Sequence, residues 1–267
     1  MGPMAIPNAV RLSFEAGGSG SPTLLLLHGL GGNAAVWGNL RRRLDSGWPG
    51  RWIAPDLRGH GRSFHGAPYS IGAHAADVAA LLGSEERVIC LGHSMGGMVG
   101  IALASGWFGV DVAKVVAFGV KLTWQPEEVA KAQDFARSAV RWFETRDEAA
   151  QRFLRVNGLA GLAGPDSECV ARGIVECDGK FRLAMDPAAN LAGASIEPFV
   201  RALSAPLRLA AGERDHMVTL DEMRRYDPCA TLIEGVGHNA HVEAPERIWE
   251  LLEQEAGRDH PRAHHVS

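Results

Sequence analysis

Two hydrophobic periods alternate along most of this chain. Residues 23–28 (TLLLLH) form a short apolar run, as a strand covered on both faces requires, and residues 52–55 and 87–92 read the same way. Residues 10–16 alternate loosely and predict a further strand, and residues 112–119, 207–211 and 231–233 predict three more. Between these runs the period lengthens. Val36, Trp37, Leu40 and Leu44 stand at helical spacing within 34–44, and helices are expected over 71–82, 95–105, 220–226 and 245–255. Strands alternating with helices predict an α/β fold, a mostly parallel sheet with helices on both faces.

The rhythm breaks over 121–195, where no apolar strand-like run occurs. Val129, Ala132, Phe135, Ala139, Val140, Trp142, Phe143 and Phe153 include three- and four-residue steps there, the mark of helices. This segment reads as a helical insertion, a cap or lid. The chain then divides into a first core part (1–120), the insertion (121–195), a second core part (196–257) and a polar tail (258–267) expected to be disordered.

Composition narrows the function classes. At 267 residues the chain fits one large domain, or one domain with an insertion, and needs neither disulfide nor metal merely to fold. Lys and Arg number 27 against 31 Asp and Glu, a net charge of −4, which favours neither nucleic acid nor an anionic membrane surface. Cys90, Cys169, Cys177 and Cys229 form no C-x-x-C pair, which argues against a zinc ribbon or a thioredoxin-like centre. Cys169 and Cys177 are close enough in sequence to bridge, but free thiols are the expectation. Residues 88–104 are apolar enough to resemble a membrane span, yet His93, Ser94 and four glycines interrupt them. A buried strand entering a buried helix accounts for the run better. With no secretory signal visible, a cytoplasmic location is expected.

The chemistry concentrates at Gly92-His93-Ser94-Met95-Gly96, a G-x-S-x-G sequence between a predicted buried strand and a predicted helix. That context is what a nucleophile elbow needs: small residues flank a serine held in a strained turn, and the following N–H opens a helix. Three further motifs join it in order. His28-Gly29-Leu30-Gly31-Gly32 follows the first buried strand, Asp56-Leu57-Arg58-Gly59-His60-Gly61-Arg62-Ser63 follows the next, and Gly237-His238 precedes Glu243-Ala244-Pro245 near the end. Together these four resemble the α/β-hydrolase superfamily, a serine-nucleophile, esterase- or lactonase-like branch with a helical cap, over nearly the whole chain outside the insertion.

The resemblance implies a catalytic triad and an oxyanion hole. Ser94 corresponds to the nucleophile and His238 to the general base. His93, His28 and His241 are the other histidines to weigh. His93 is expected to line or support the pocket, His28 to fix the oxyanion loop, and His241 to make a surface or cap contact. Asp215, in the Gly212-Glu213-Arg214-Asp215 turn after a strand, corresponds to the orienting acid, with Glu213 the near alternative. The backbone N–H groups of Leu30 and Met95 correspond to the oxyanion donors. Asp56, Arg58 and His60 are expected to brace loops, and Trp37 to be core. His93, Trp124, Phe135, Trp142, Phe143, Met185 and Met217 are the candidate substrate-binding residues, with Phe153, Met98 and Val218 as further candidates for the pocket wall.

A serine nucleophile favours acyl transfer and disfavours the dehalogenase and epoxide-hydrolase branches, which use aspartate. The expected activity is hydrolysis of a small carboxylic ester, lactone or thioester through an acyl-enzyme. C–C bond hydrolysis of a diketone-type substrate with the same triad is the alternative within enzymes, and cofactor-free perhydrolase, oxygenase or lyase chemistry is a third option. A non-catalytic ligand receptor on the same fold is the alternative outside them. The expected partner is a small-molecule substrate, without metal, cofactor, nucleic acid or membrane span. Gly29-Leu30-Gly31-Gly32 lacks the G-x-G-x-x-G spacing and downstream acid of a dinucleotide site.

Overall fold

The computed structural model describes residues 11–83, 86–192 and 196–256. Val10 and the tail expected to be disordered lie outside the described residues. The first core part builds strands β1 (Phe14–Gly17), β2 (Thr23–Leu27), β3 (Trp52–Pro55), β4 (Arg87–His93) and β5 (Asp111–Phe118). Between them lie a 3-10 turn over Ala34–Trp37, α1 (Gly38–Gly47), α2 (Ile71–Ala79) and α3 (Met95–Leu103).

After β5 come α4 (Pro126–Ala136), α5 (Arg146–Val156), α6 (Glu168–Arg172), β6 (Ile174–Cys177), β7 (Lys180–Leu183) and a second 3-10 turn over Pro187–Ala192. The chain ends with α7 (Glu197–Arg201), β8 (Leu207–Gly212), α8 (Leu220–Arg224), β9 (Thr231–Ile233), α9 (Ala240–Glu243) and α10 (Pro245–Ala256).

Seven strands form one sheet in the order β1-β3-β2-β4-β5-β8-β9, and only the β1–β3 pair is antiparallel. Alternation along the central strands sends side chains to both faces. Leu25, Leu27, Cys90, Val115, Ala117 and Leu209 pack with α2 and α3 on one face. Leu24, Leu26, Leu91, Val116, Phe118 and Ala210 pack with Trp37, α1 and α10 on the other. Each of Leu24–Leu27 is fully buried, so truncating any one to alanine would cost about 2–5 kcal/mol. Double coverage is why these strands read as unbroken apolar runs.

The segment between β5 and β8 departs from the helical expectation in two places. Its helical spacing over 127–153 is split, because residues 137–145 are not helical. It also contains a small antiparallel hairpin, β6–β7. The hairpin turns at Asp178-Gly179, both at positive φ, as a two-residue type I′ connection demands. Phe143 joins it through two backbone hydrogen bonds with Phe181 (2.7 and 2.9 Å). These strands are four residues long and half-exposed, so no apolar run announced them; the Asp-Gly pair was the available signal. All four cysteines are free. Among the described residues no helix is long and apolar enough to cross a membrane.

The loop after β3 is braced from inside. Asp56 accepts the Ala34 and Arg62 N–H groups, and Ser63 donates to the Asp56 carbonyl. Arg58 donates through Nε and Nη2 to both carboxylate oxygens of Asp77, at 2.6 and 2.7 Å, with both side chains buried. Beside this ion pair His28, His60 and His74 lie in a buried row, His28 edge-on to His60 and His74 tilted against it, ring centroids 5.2 and 6.5 Å apart. Burial holds His60 and His74 down to about 3 and His28 to about 4, helped by their mutual repulsion and, at His74, by Arg58.

A buried neutral histidine opposes acid unfolding only until the unfolded chain begins to bind its proton. Stability contributed by these three is therefore full above about pH 6.5 and is lost as pH falls from there toward about 4 for His28 and about 3 for His60 and His74. Each would cost up to about 2 kcal/mol by pH 5. Thermal unfolding followed from pH 7.5 to 4.5 should show a steep fall in Tm that begins near pH 6.5. A flat profile would contradict it.

Candidate active site

Backbone strain marks the centre of the site. Ser94 sits between β4 and α3 with φ 51° and ψ −119°, one of two non-glycine residues at positive φ among those described. The turn is pinned on both sides: the Ser94 N–H donates to Phe118 O (2.9 Å), and the Ser94 carbonyl accepts the Gly97 N–H (3.0 Å). So sharp a turn brings α3 against the end of β2. A Cβ on Gly96 would collide with the carbonyl oxygens of Leu27 and His28, and one on Gly92 would stand 2.5 Å from Gly97 Cα. Met95 opens α3, so its N–H has no intrahelical acceptor.

Across the sheet ends, His238 meets Asp215. Nδ1 of His238 donates to Asp215 Oδ2 at 2.8 Å, which fixes the ring tautomer and leaves Nε2 as its other polar atom. Asp215 follows β8, and its other oxygen accepts the Met217 N–H (2.9 Å). Burial alone would raise this carboxyl. The His238 hydrogen bond and charge, with the Met217 N–H, outweigh it and hold the carboxyl below its ordinary value. Glu213 points away from the pair and accepts the Gly235 N–H. The His238 loop is held by Glu243, which accepts the Gly237 N–H (2.8 Å), and by His93, whose Nε2 donates to the His238 carbonyl (3.0 Å).

Ser94 and His238 open into one cavity of about 800 Å³, within the range of small-molecule sites. Of the candidate binding residues, His93, Trp124, Phe135 and Met217 line it, as do Leu30, Met95 and Met98. Trp142, Phe143 and Met185 do not. Trp142 is exposed in the non-helical stretch before α5, with Arg182 over its ring. Phe143 is spent on the β6–β7 hairpin, and Met185 pairs with His60 of the loop after β3. Phe153 and Val218 are core residues.

His241 also departs from expectation. In place of a surface or cap contact it is buried against Trp37, His93 and Phe118, and it lines the cavity. Burial, then the neighbouring His238 and His28, push it down to about 3. It sits in α9, the short helix that directly follows the His238 turn. His28 accepts the Leu57 N–H at Nε2 (2.9 Å) and donates from Nδ1 to Gly29 O (2.8 Å), tying the loop after β2 to the loop after β3.

A strained serine after a central strand and a His–Asp pair at the ends of later strands, around one cavity, are the arrangement of a nucleophile elbow in an α/β fold. The chain belongs to the alpha/beta hydrolase family, whose model matches residues 24–251. Lipase LipV of Mycobacterium tuberculosis is 40% identical over 91 residues, 33% of this chain and 34% of that protein. The pimeloyl-[acyl-carrier protein] methyl ester esterase of Proteus mirabilis is 37% identical over 94 residues, 35% of each chain. The matches thus span about a third of these two relatives. The crystal structure of E-2-(acetamidomethylene)succinate hydrolase superposes with a TM-score of 0.76 at 23% identity, covering 92% of this chain and 94% of that one, and shares the fold.

Gly119, at the end of β5, tests the tightness of the His–Asp pair. It has φ +63°, and a Cβ there would stand 3.1 Å from His238 Cε1 and 3.4 Å from Asp215 Oδ2. Gly119→Ala is expected to cost about 1–2 kcal/mol in stability and to disturb the pair. The readouts are denaturant unfolding and the far-downfield NMR resonance of the His238 Nδ1 proton. An unshifted resonance would show the pair to be indifferent to this neighbour.

Proposed function

We propose that the protein is a serine hydrolase of a small carboxylic ester, lactone or thioester. One observation carries the reading: Ser94 is held in a strained turn and shares its cavity with a histidine whose far nitrogen is bound to a buried carboxylate. A hydroxyl is a poor nucleophile until a base takes its proton. His238 Nε2 is the base in this reading, and Asp215 orients the ring and stabilises the imidazolium. Ser94 Oγ attacks the carbonyl carbon, and His238 then gives the proton to the leaving alcohol or thiol. Water, deprotonated by the same ring, releases the acid and restores the serine.

The N–H groups of Met95 and Leu30 serve as oxyanion donors in this scheme, and each donor supplies about 3–4 kcal/mol of transition-state stabilisation. Residues 121–195 serve as the cap, since Lys121, Trp124, α4 and the end of α5 contribute to the cavity wall. Relatives named as a lipase and a methyl ester esterase support the ester-hydrolase class.

Wild-type protein is expected to be labelled covalently by a fluorophosphonate and to turn over p-nitrophenyl acyl esters with an optimum in chain length. Ser94→Ala should abolish labelling and lower kcat by roughly 10⁴-fold or more. Asp215→Asn should lower kcat by about 10⁴-fold with less effect on KM. Full labelling of Ser94→Ala would refute the assignment of the nucleophile.

A further inference from the structure

The cavity wall carries more positive charge than its own acids can neutralise. One face of α4 contributes to it: Glu128, Lys131, Ala132 and Phe135 recur at the i, i+3, i+4 and i+7 positions of a helix. Glu127, Asp134 and Arg137 are also exposed but stay outside the cavity. Lys131 is therefore set apart from the ordinary solvated charges of this helix. Arg155, in the last turn of α5, also lines the cavity, and so does Lys121.

Both acids in the wall are already engaged. Lys121 donates to Glu128 Oε1 at 2.5 Å, and Glu128 Oε2 accepts the Gln125 N–H that starts α4. The hydrogen bonds from Lys121 and Gln125, with the charges of Lys121 and Lys131, hold the Glu128 carboxyl below its ordinary value. Glu243 is committed to the Gly237 N–H. Among the described residues neither Lys131 nor Arg155 has a hydrogen-bonded or ion-paired side-chain partner. Both are exposed, whereas Ser94 is half-buried, which puts the two cations on the solvent side of the cavity wall. Val36, Met98, Ala132 and Leu159 add apolar wall to the cavity. The wall thus holds three cations, Lys121, Lys131 and Arg155, against two acids, Glu128 and Glu243, a local reversal of sign in a chain of net charge −4.

We propose that the substrate carries an anionic group at the end remote from the scissile bond, and that Lys131 and Arg155 hold it at the mouth. This rests on the ester-hydrolase reading for the reaction at Ser94, and it adds which esters the site prefers. The charge acts on binding and leaves the reacting atoms alone, so the preference appears in KM.

The test compares carboxylate-bearing esters with neutral isosteres of matched chain length. Hemiesters of linear dicarboxylic acids place the charge on the acyl side, and carboxyalkyl butyrates place it on the alcohol side. At low ionic strength kcat/KM should favour the anionic member of at least one pair by about two- to fivefold, within the range for an exposed charge pair, and added salt should erode the preference. The double variant Lys131→Gln, Arg155→Gln should bring the ratio near one, and Arg155→Lys should keep most of it.

A second arm is independent of turnover: calorimetric binding of a dicarboxylic acid monoamide and its neutral analogue to Ser94→Ala. Turnover without preference for the anion in either connectivity overturns the anionic subsite and leaves the ester-hydrolase reading standing. Tighter binding of the anion to Ser94→Ala, with no turnover by the wild type, supports the subsite and overturns the hydrolase reading. Equal binding of the two amides counts against the subsite.

Discussion

The close approach of α3 to the C-terminal end of β2 is the constraint on which the site rests. With no side chain at Gly96, helix backbone can lie against the Leu27 and His28 carbonyls, and the chain then has no unstrained route from β4 into the helix. The cost falls on Ser94, whose positive φ persists because hydrogen bonds and packing on both sides over-determine it. Everything that surrounds the serine is arranged against that fixed point. The loop after β2 lies alongside it, and the later strands deliver their turns to the same edge of the sheet, where α/β folds generally place ligands.

Fixing one residue would achieve little if its neighbours could drift. His28 links two loops through both ring nitrogens, Asp56 accepts two backbone donors, and the Arg58–Asp77 pair anchors the loop to α2. Buried polar groups of this kind are costly to break singly, which makes the braced region resist partial opening. His93 extends the same logic to the far side of the cavity, holding the backbone of His238 and leaving its ring to Asp215.

Much of this framework was legible in the sequence, because double burial writes itself as unbroken apolar runs and turns of special geometry write themselves as glycine. The central strands and the residues at their ends follow from those signals. The segment from 121 to 195 follows poorly, for a physical reason. Its strands are short and half-exposed, and its aromatic residues serve different ends: Phe135 faces the cavity, Phe143 extends a hairpin and Phe153 fills the core. Apolar spacing alone cannot separate those fates. His241 was misjudged for a related reason, since a histidine placed beside Trp37 and Phe118 is an aromatic packing residue whose polarity hides its role.

α4 has no buried residue along its whole length. The β6–β7 side of the same segment is stitched to the loop after β3 by backbone hydrogen bonds, Gly61 to Ala184 and Asp186 to Gly59. One flank is therefore riveted to the loop after β3, and the other packs on the 3-10 turn over Pro187–Ala192. A substitution along α4 therefore costs little buried surface, and sequence drift on this helix can reshape the cavity wall without loosening the sheet beneath it.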